Sequence, residues 1–180
     1  QRPYDKGSDA YRSDFKQRYD HGELVCEDSI QLPDSLKYKT HGGRVVYGGG
    51  GIMPDIFVPM DTTRLSDFFV EVRGKGMLNE FTLQWADKHR DECKQMGYEK
   101  FLAQYDSFRI DSLFAVAAEN AGVKRYVESE SAQPERIRKS DEYQHLVLKA
   151  LIAKSIFGTE YYYKIMCVID DVYLKALSEF

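Results

Sequence analysis

Two histidine–cysteine pairs are the first residues whose types and spacing could hold a metal ion. His89 and Cys93 lie four positions apart in a helical pattern, which places both side chains on one face. A closed zinc site needs four ligands, and no convincing third ligand accompanies this pair. Both residues also lie on the apolar stripe, so a packed core pair is favoured. His21 and Cys26 lie in a turn region without a second pair, and the same argument applies to them.

Paired carboxylates could perform acid–base chemistry, but their spacing does not favour it. Asp170 and Asp171 are neighbours, and adjacent helix positions point about 100° apart. Asp87 and Asp91 share a helix face that lies away from the apolar stripe, where solvated acids are expected. A raised pKa requires an apolar setting, which neither pair has. The tyrosines at 161–163 could stack on bases or sugars. Because Ile165 follows them, at least one ring is expected in the core, and the acidic neighbours argue against nucleic acid.

The glycines at 48–51 could cradle a phosphate if they followed a strand and opened a helix. No Lys-Ser or Lys-Thr pair follows them, and Pro54 blocks helix continuation. The sequence therefore favours a turn that links two edge strands. We assign no catalytic, cofactor-binding or metal-ligating residue from these patterns.

Helices dominate the sequence after Thr63. The first runs from Leu78 to a stop at Gly97, and the second, capped by Asp106 or Ser107, ends at Gly122. The third starts at Ser140, or earlier after Pro134, and ends at Gly158, where Thr159 caps the fourth. The predicted buried face of the second helix consists of Ile110, Leu113, Ala117 and Ala121. That of the fourth helix consists of Tyr161, Ile165, Val168, Val172, Ala176 and Phe180. Residues 123–133 are polar and predict an exposed connection.

The first sixty residues have a different pattern. Ser8 could cap a helix over residues 9–20 with Tyr11, Phe15 and Tyr19 on one face, ended by Gly22. Residues 36–40 and 44–47 predict a hairpin around a turn at 41–43, followed by a further strand over 52–58. The predicted fold class is α+β, mainly α, with domains at 1–60 and 61–180 and about four helices in the second.

Composition limits the possible partners. The 180 residues are 43% hydrophobic and 30% charged, as in an ordinary globular chain, and the net charge is −4. Because basic residues are scattered among acids, neither nucleic acid nor an anionic membrane is an expected partner. No run has the length of a membrane span. Three distant cysteines make a disulfide framework unexpected, and Cys93 and Cys167 are predicted to be core residues.

Residues 40–55 carry a resemblance to a known family. They read THGGRVVYGGGGIMPD. This resembles the end of the protease core in carboxyl-terminal processing (tail-specific) serine peptidases, where a Gly-Arg strand leads through a glycine-rich turn to Gly-Ile-x-Pro-Asp. Residues 1–4 are similar to the preceding core strand, residues 22–30 to an insertion of one bacterial branch, and residues 148–158 to its C-terminal extension. The similarity covers most of the chain.

The resemblance implies a secreted or periplasmic endopeptidase that acts on protein or peptide substrates. Its Ser nucleophile and Lys base lie upstream of Gln1 in the family order, so no catalytic residue is carried over to this chain. The first residue is not Met, and we expect the chain to be a trimmed, inactive portion of the peptidase. Open strand edges would then favour a homodimer or strand exchange. A stand-alone interaction module and, more weakly, a metal-binding protein using His89 and Cys93 are the alternatives.

Overall fold

The computed structural model describes residues 7–30, 34–48, 55–125 and 133–180. The chain divides into two compact units, Gln1–Asp61 and Thr62–Phe180. The described residues are mainly helical, with one small two-stranded antiparallel sheet that precedes the helical bundle. The predicted fold class, α+β and mainly α, is therefore confirmed.

The first unit begins with helix α1, Gly7–Asp20. Gly22 follows it with φ +79°, a left-handed conformation that glycine adopts without strain, so the predicted stop is confirmed. The helix starts at Gly7, so Ser8 lies inside it instead of capping it. Tyr19 is exposed, and the side chains of Tyr11 and Phe15 lie outside the described part of the chain.

The hairpin is formed by β1, Lys37–Lys39, and β2, Val45–Tyr47. The strands are antiparallel, with Tyr38 opposite Val46. The turn is closed by the amide of Thr40, which donates to the carbonyl of Arg44 at 2.8 Å. The hairpin prediction is confirmed. The further strand predicted over 52–58 is not present in its described part, residues 55–58, and residues 52–54 lie outside the described ranges, as do glycines 49–51.

The second unit contains α2 through α8 in the described ranges. Their bounds are Asp67–Gly74, Met77–Met96, Tyr98–Gln104, Ile110–Asn120, Pro134–Phe157, Thr159–Met166 and Asp171–Leu177. The boundaries predicted at Gly97, Pro134 and Gly158 agree with α3 and α6. The short helices α2 and α4 were not predicted.

The buried core lies in this second unit, where side chains of α2, α3, α4, α5 and α6 pack together. Phe114 of α5 is fully buried and packs edge-to-face on Phe81 of α3, with ring centres 5.3 Å apart. Phe101 of α4 packs on Phe157 of α6 at 5.5 Å. Interlocking rings of this kind bury large apolar areas, which is the main source of stability in a helical bundle.

Helix α5 buries a different face from the one predicted. Its buried residues are Ile110, Phe114 and Ala118, whereas Leu113 is 49% exposed. The predicted face of Leu113, Ala117 and Ala121 is therefore wrong. The apolar residues of α5 surround nearly the whole helix, and burial of the large Phe114 ring outweighs burial of an alanine stripe. The cap is Arg109, at φ +52°, because residues 105–108 form a 3₁₀ turn that contains Asp106 and Ser107.

The predicted fourth helix is two helices, α7 and α8. Asp170 has an extended backbone and accepts a hydrogen bond from the amide of Tyr173 at 3.0 Å, so it caps α8 and ends the helical run. Consequently Val168 and Val172, expected in the core, are 63% and 62% exposed. Gly158, not Thr159, is the cap of α7.

Two smaller expectations also change. Val123, assigned to an exposed connection, is 1% exposed and belongs to the core, while residues 126–132 of that connection lie outside the described ranges. Cys93 is fully buried as expected, but Cys167 is only half-buried, directly after α7.

Candidate functional site

His89 and Cys93 do not form a metal site with the residues around them. The His89 ring stacks on Trp85 with ring centres 4.1 Å apart, and its Nδ1 lies 2.9 Å from the Trp85 carbonyl oxygen. Burial, together with the nearby Glu92, raises the pKa of the Cys93 thiol, which disfavours the thiolate that binds metals. The described residues contain no group of three or more His, Cys, Asp or Glu placed to hold a metal ion.

The carboxylates considered from the sequence have structural roles. Asp87 pairs with Arg90 at 2.7 Å, and Arg90 also donates to the carbonyl of Ser155, tying α3 to α6. Asp171 accepts a hydrogen bond from Arg64 at 3.1 Å, while Asp170 caps α8. Asp87, Asp170 and Asp171 are therefore occupied by structural contacts and are not arranged for acid–base chemistry.

The tyrosines at 161–163 divide between packing and exposure. Tyr161 packs on Tyr98 at 4.4 Å and on Phe157 at 5.7 Å between ring centres. Tyr163 is 59% exposed. The ammonium of Lys164 lies 4.5 Å from the centre of the Tyr161 ring, in a cation–π contact. Tyr161 therefore contributes to the packing of α7, as the sequence predicted for at least one of the three rings.

A histidine that the sequence analysis did not select lies beside two carboxylates. His145 is on α6, and its Nδ1 lies 2.8 Å from Oδ2 of Asp111 on α5. An ionised carboxylate can only accept, so Nδ1 carries the proton in this bond. The other ring nitrogen, Nε2, lies 3.8 Å from Oδ1 of Asp106 in the 3₁₀ turn. Asp111 orients the imidazole, and Asp106 lies near its other ring nitrogen, at the junction of three elements.

Tyr105 packs against His145 at this junction, and its side chain is 1% exposed. Its ring meets the His145 ring edge-on at 5.1 Å, and the ammonium of Lys149 lies 4.6 Å from its centre. Its hydroxyl has no hydrogen-bond partner among the described residues. Burial, and then the charges of Asp111 and Asp106, raise the pKa of Tyr105, so the phenol stays protonated.

An open cleft of about 480 Å³ lies beside His145. A volume of this size is within the usual range for small-ligand sites. Three carboxylates and one guanidinium lie on its walls, so the lining is net negative. The lining residues are Asp111, Arg125, Asp141, Glu142, Gln144, His145 and Leu146.

The acidic residues of this lining are paired within the chain. Asp141 pairs with Arg125 at 3.1 Å, and Glu142 pairs with Arg138. Gln144, between these residues and His145, is 3% exposed. The charges at the rim of the cleft are therefore largely balanced by neighbouring side chains.

The arrangement is suited to binding more than to bond cleavage. The Asp111–His145 pair resembles the orienting half of a catalytic triad, but no hydroxyl or thiol of the described residues donates a hydrogen bond to His145. Sequence reasoning missed the site because its partners come from separate elements. The sequence offered little signal, because Gln144 and His145 follow the polar residues 140–142 and only residues 146–148 after them form an apolar run.

The fold and cleft define a small helical domain preceded by a β-hairpin unit. Residues 68–158 match the model of a family of unknown function, DUF8443. This match covers α2 to α6, about half of the chain, and the chain belongs to this family. No curated protein and no solved structure matches the chain. None of the described helices combines the length and the apolar character needed to cross a membrane.

Proposed function

We propose that this chain is the non-catalytic C-terminal portion of a serine peptidase of the carboxyl-terminal processing type. In this proposal the catalytic Ser–Lys pair lies upstream of Gln1. The peptidase itself is located in the cell envelope and acts on protein or peptide substrates. Residues 36–58 border the protease sheet, and the helical unit supplies shape. The sequence resemblance over residues 40–55 supports the assignment, and the hairpin supports the role as a sheet border.

The observation that carries the proposal is the exposure of the hairpin. Tyr38 is 58% exposed, and Val45 and Val46 are each 39% exposed. An isolated two-stranded hairpin is at best marginally stable in water, and further strands or a packed helix are normally needed. The described residues of the first unit include no buried side chain that could provide this support. Additional strands from the rest of the peptidase would cover these apolar groups.

The ladder geometry indicates which edge would accept a strand. Gly48 donates to the carbonyl of Leu36, and Thr40 to that of Arg44, so by alternation Lys37 and Lys39 direct their backbone groups away from β2. Lysines on an edge discourage pairing. On β2, the outward backbone groups belong to Val45 and Tyr47. The β2 edge is therefore the better place for an added strand.

The test is active-site labelling. A serine-directed fluorophosphonate should label the protein expressed from the full upstream reading frame, and it should not label the 180-residue chain. Substitution of the labelled serine by alanine should abolish the signal. If the full-length protein does not react, or its reading frame contains no Ser–Lys motif, the peptidase assignment is wrong.

The alternative function is a stand-alone interaction module, and the exposure of α8 favours it. Val172 and Leu177 are 62% and 56% exposed, and in this alternative they pair with a second copy of the chain. Sedimentation velocity separates the two proposals. Val45→Lys should abolish dimers formed through the β2 edge, whereas Leu177→Asp should abolish dimers formed through α8. Val25→Lys, at a position 42% exposed outside the hairpin, is the matched control.

A further inference from the structure

We propose that the outer face of α5 packs antiparallel against the same face of a second copy of the chain. This face carries Leu113 and Val116, which are 49% and 56% exposed. It is distinct from the β2 edge and from α8, and the inference does not depend on the peptidase assignment. It rests on two observations, which are the uncovered apolar pair and the charges at the two ends of the helix.

The outer face follows from the helical spacing of α5. Ile110, Phe114 and Ala118 recur every four residues and are buried, so they define the side of the helix that faces the core. Leu113 and Val116 lie three residues apart on the solvent side of the same helix. Two large apolar side chains that are adjacent and half exposed form the centre of a surface onto which another helix can pack.

The charges at the ends of α5 have the unfavourable sign for the helix itself. Arg109 is the exposed residue before the first turn, and Glu119 is exposed in the last turn. A helix N-terminus is partly positive and a C-terminus partly negative, so both side chains oppose the dipole of their own helix. Asp111, whose sign does suit the first turn, bonds to His145 of α6. Neither Arg109 nor Glu119 has an ion-pair partner among the described residues. A helix that runs in the opposite direction would place a favourable partner beside each.

The charged pair and the apolar pair have nearly the same centre along the helix. Arg109 and Glu119 are separated by about 15 Å at 1.5 Å per residue, and their midpoint is residue 114. The midpoint of Leu113 and Val116 lies between residues 114 and 115. A two-fold axis at this level places Leu113 against Val116 of the second copy. The same axis places Arg109 of each copy beside Glu119 of the other. One surface therefore carries both halves of the interface, which selects a second copy over an unrelated partner.

The expected dimer is weak. Helix α5 has 11 residues and is about 16 Å long, so two such helices cover less than the roughly 1,200–2,000 Å² of a stable interface. We expect a dissociation constant of about 0.1–1 mM, which sedimentation equilibrium of the complete 180-residue chain can measure. The measurement is repeated with Val45→Lys and Leu177→Asp introduced together, so that neither the β2 edge nor α8 contributes. Association through α5 should remain in that variant.

A charge swap tests the antiparallel arrangement. Arg109→Glu and Glu119→Arg, each introduced alone, bring like charges together at both ends of the dimer and should weaken it about tenfold. The two substitutions together restore opposite charges and should return the dissociation constant to within about threefold of its starting value. Each substitution also suits the dipole of α5 better than the original residue, so a loss of association cannot be attributed to unfolding.

Val116→Lys tests the apolar centre of the interface. It brings one ammonium from each copy close to the two-fold axis and should abolish association up to about 1 mM. Val70→Lys on α2, where the valine is 54% exposed, is the matched control and should leave the association unchanged. The proposal is overturned by a monomer throughout this concentration range, by equal effects of the Val70 and Val116 substitutions, or by a lack of recovery in the double charge swap.

Discussion

Ser140→Ala should destabilise the helical unit more than its small change in volume suggests. Ser140 is buried on α6, where its hydroxyl oxygen accepts from the amide of Ser66 at 3.1 Å and its proton goes to the hydroxyl of Ser66 at 2.8 Å. Ser66 in turn caps α2 by accepting from the amide of Phe69. The substitution leaves the buried Ser66 amide without an acceptor, at a cost of about 1–3 kcal/mol. Helix propensity returns about 0.5 kcal/mol, so we expect a net loss of about 0.5–2.5 kcal/mol.

Ser155→Ala is the matched control on the same helix. Its hydroxyl donates to the carbonyl of Leu151, four residues earlier, and such back-bonding contributes little to stability. The gain in helix propensity is the same, so this variant should change stability by about 0.5 kcal/mol or less. Urea unfolding followed by the emission of Trp85, the single tryptophan, reports on the helical unit alone. If the two variants differ by less than about 0.5 kcal/mol, the Ser66–Ser140 link does not stabilise the fold as argued.

Three further predictions follow from packing, ionisation and tethering. Phe114→Ala should cost about 3–5 kcal/mol in urea unfolding and Leu113→Ala less than about 1, because only the former empties a core position; equal losses would contradict the assigned face. Because the pKa of Tyr105 is raised on folding, the unfolded state loses this proton first, so stability should fall as pH rises above about 10. Tyr105→Phe should reduce that fall, and an unaltered pH profile would contradict it. Arg64→Lys should speed amide exchange in α8 while α3 stays protected, since Arg64 bonds both the Ile169 carbonyl and Asp171.

Much of the helical pattern could be predicted because its signals are local. Helices α3 and α6 end at Gly97 and Gly158, whose positive φ angles of +80° and +126° interrupt a helix wherever they occur. The α5 face could not be predicted in this way. Apolar residues surround α5, and the choice between Leu113 and Phe114 depends on which neighbours, such as Phe81, are available in the folded unit.

The candidate site was harder to predict because no single segment contains it. Asp111 and His145 are 34 positions apart and meet only because α5 packs on α6. By contrast, the break before α8 did have a local signal, since Asp170 is a favoured capping residue. The apolar spacing continues through Val168 and Val172, however, and this continuity led to the prediction of a single helix.

Burial differs sharply between the two units, and this difference connects the family match with the functional proposals. The buried residues of the described chain begin at Ser66 and lie in the second unit, most of them within the matched range 68–158. A unit with such a core can fold by itself, whereas the described part of residues 1–61 has only exposed and half-buried side chains. The exposed hairpin of the first unit is thus the observation on which the peptidase proposal depends. The cleft beside His145, by contrast, lies wholly in the unit with the core, because every residue that lines it belongs to that unit.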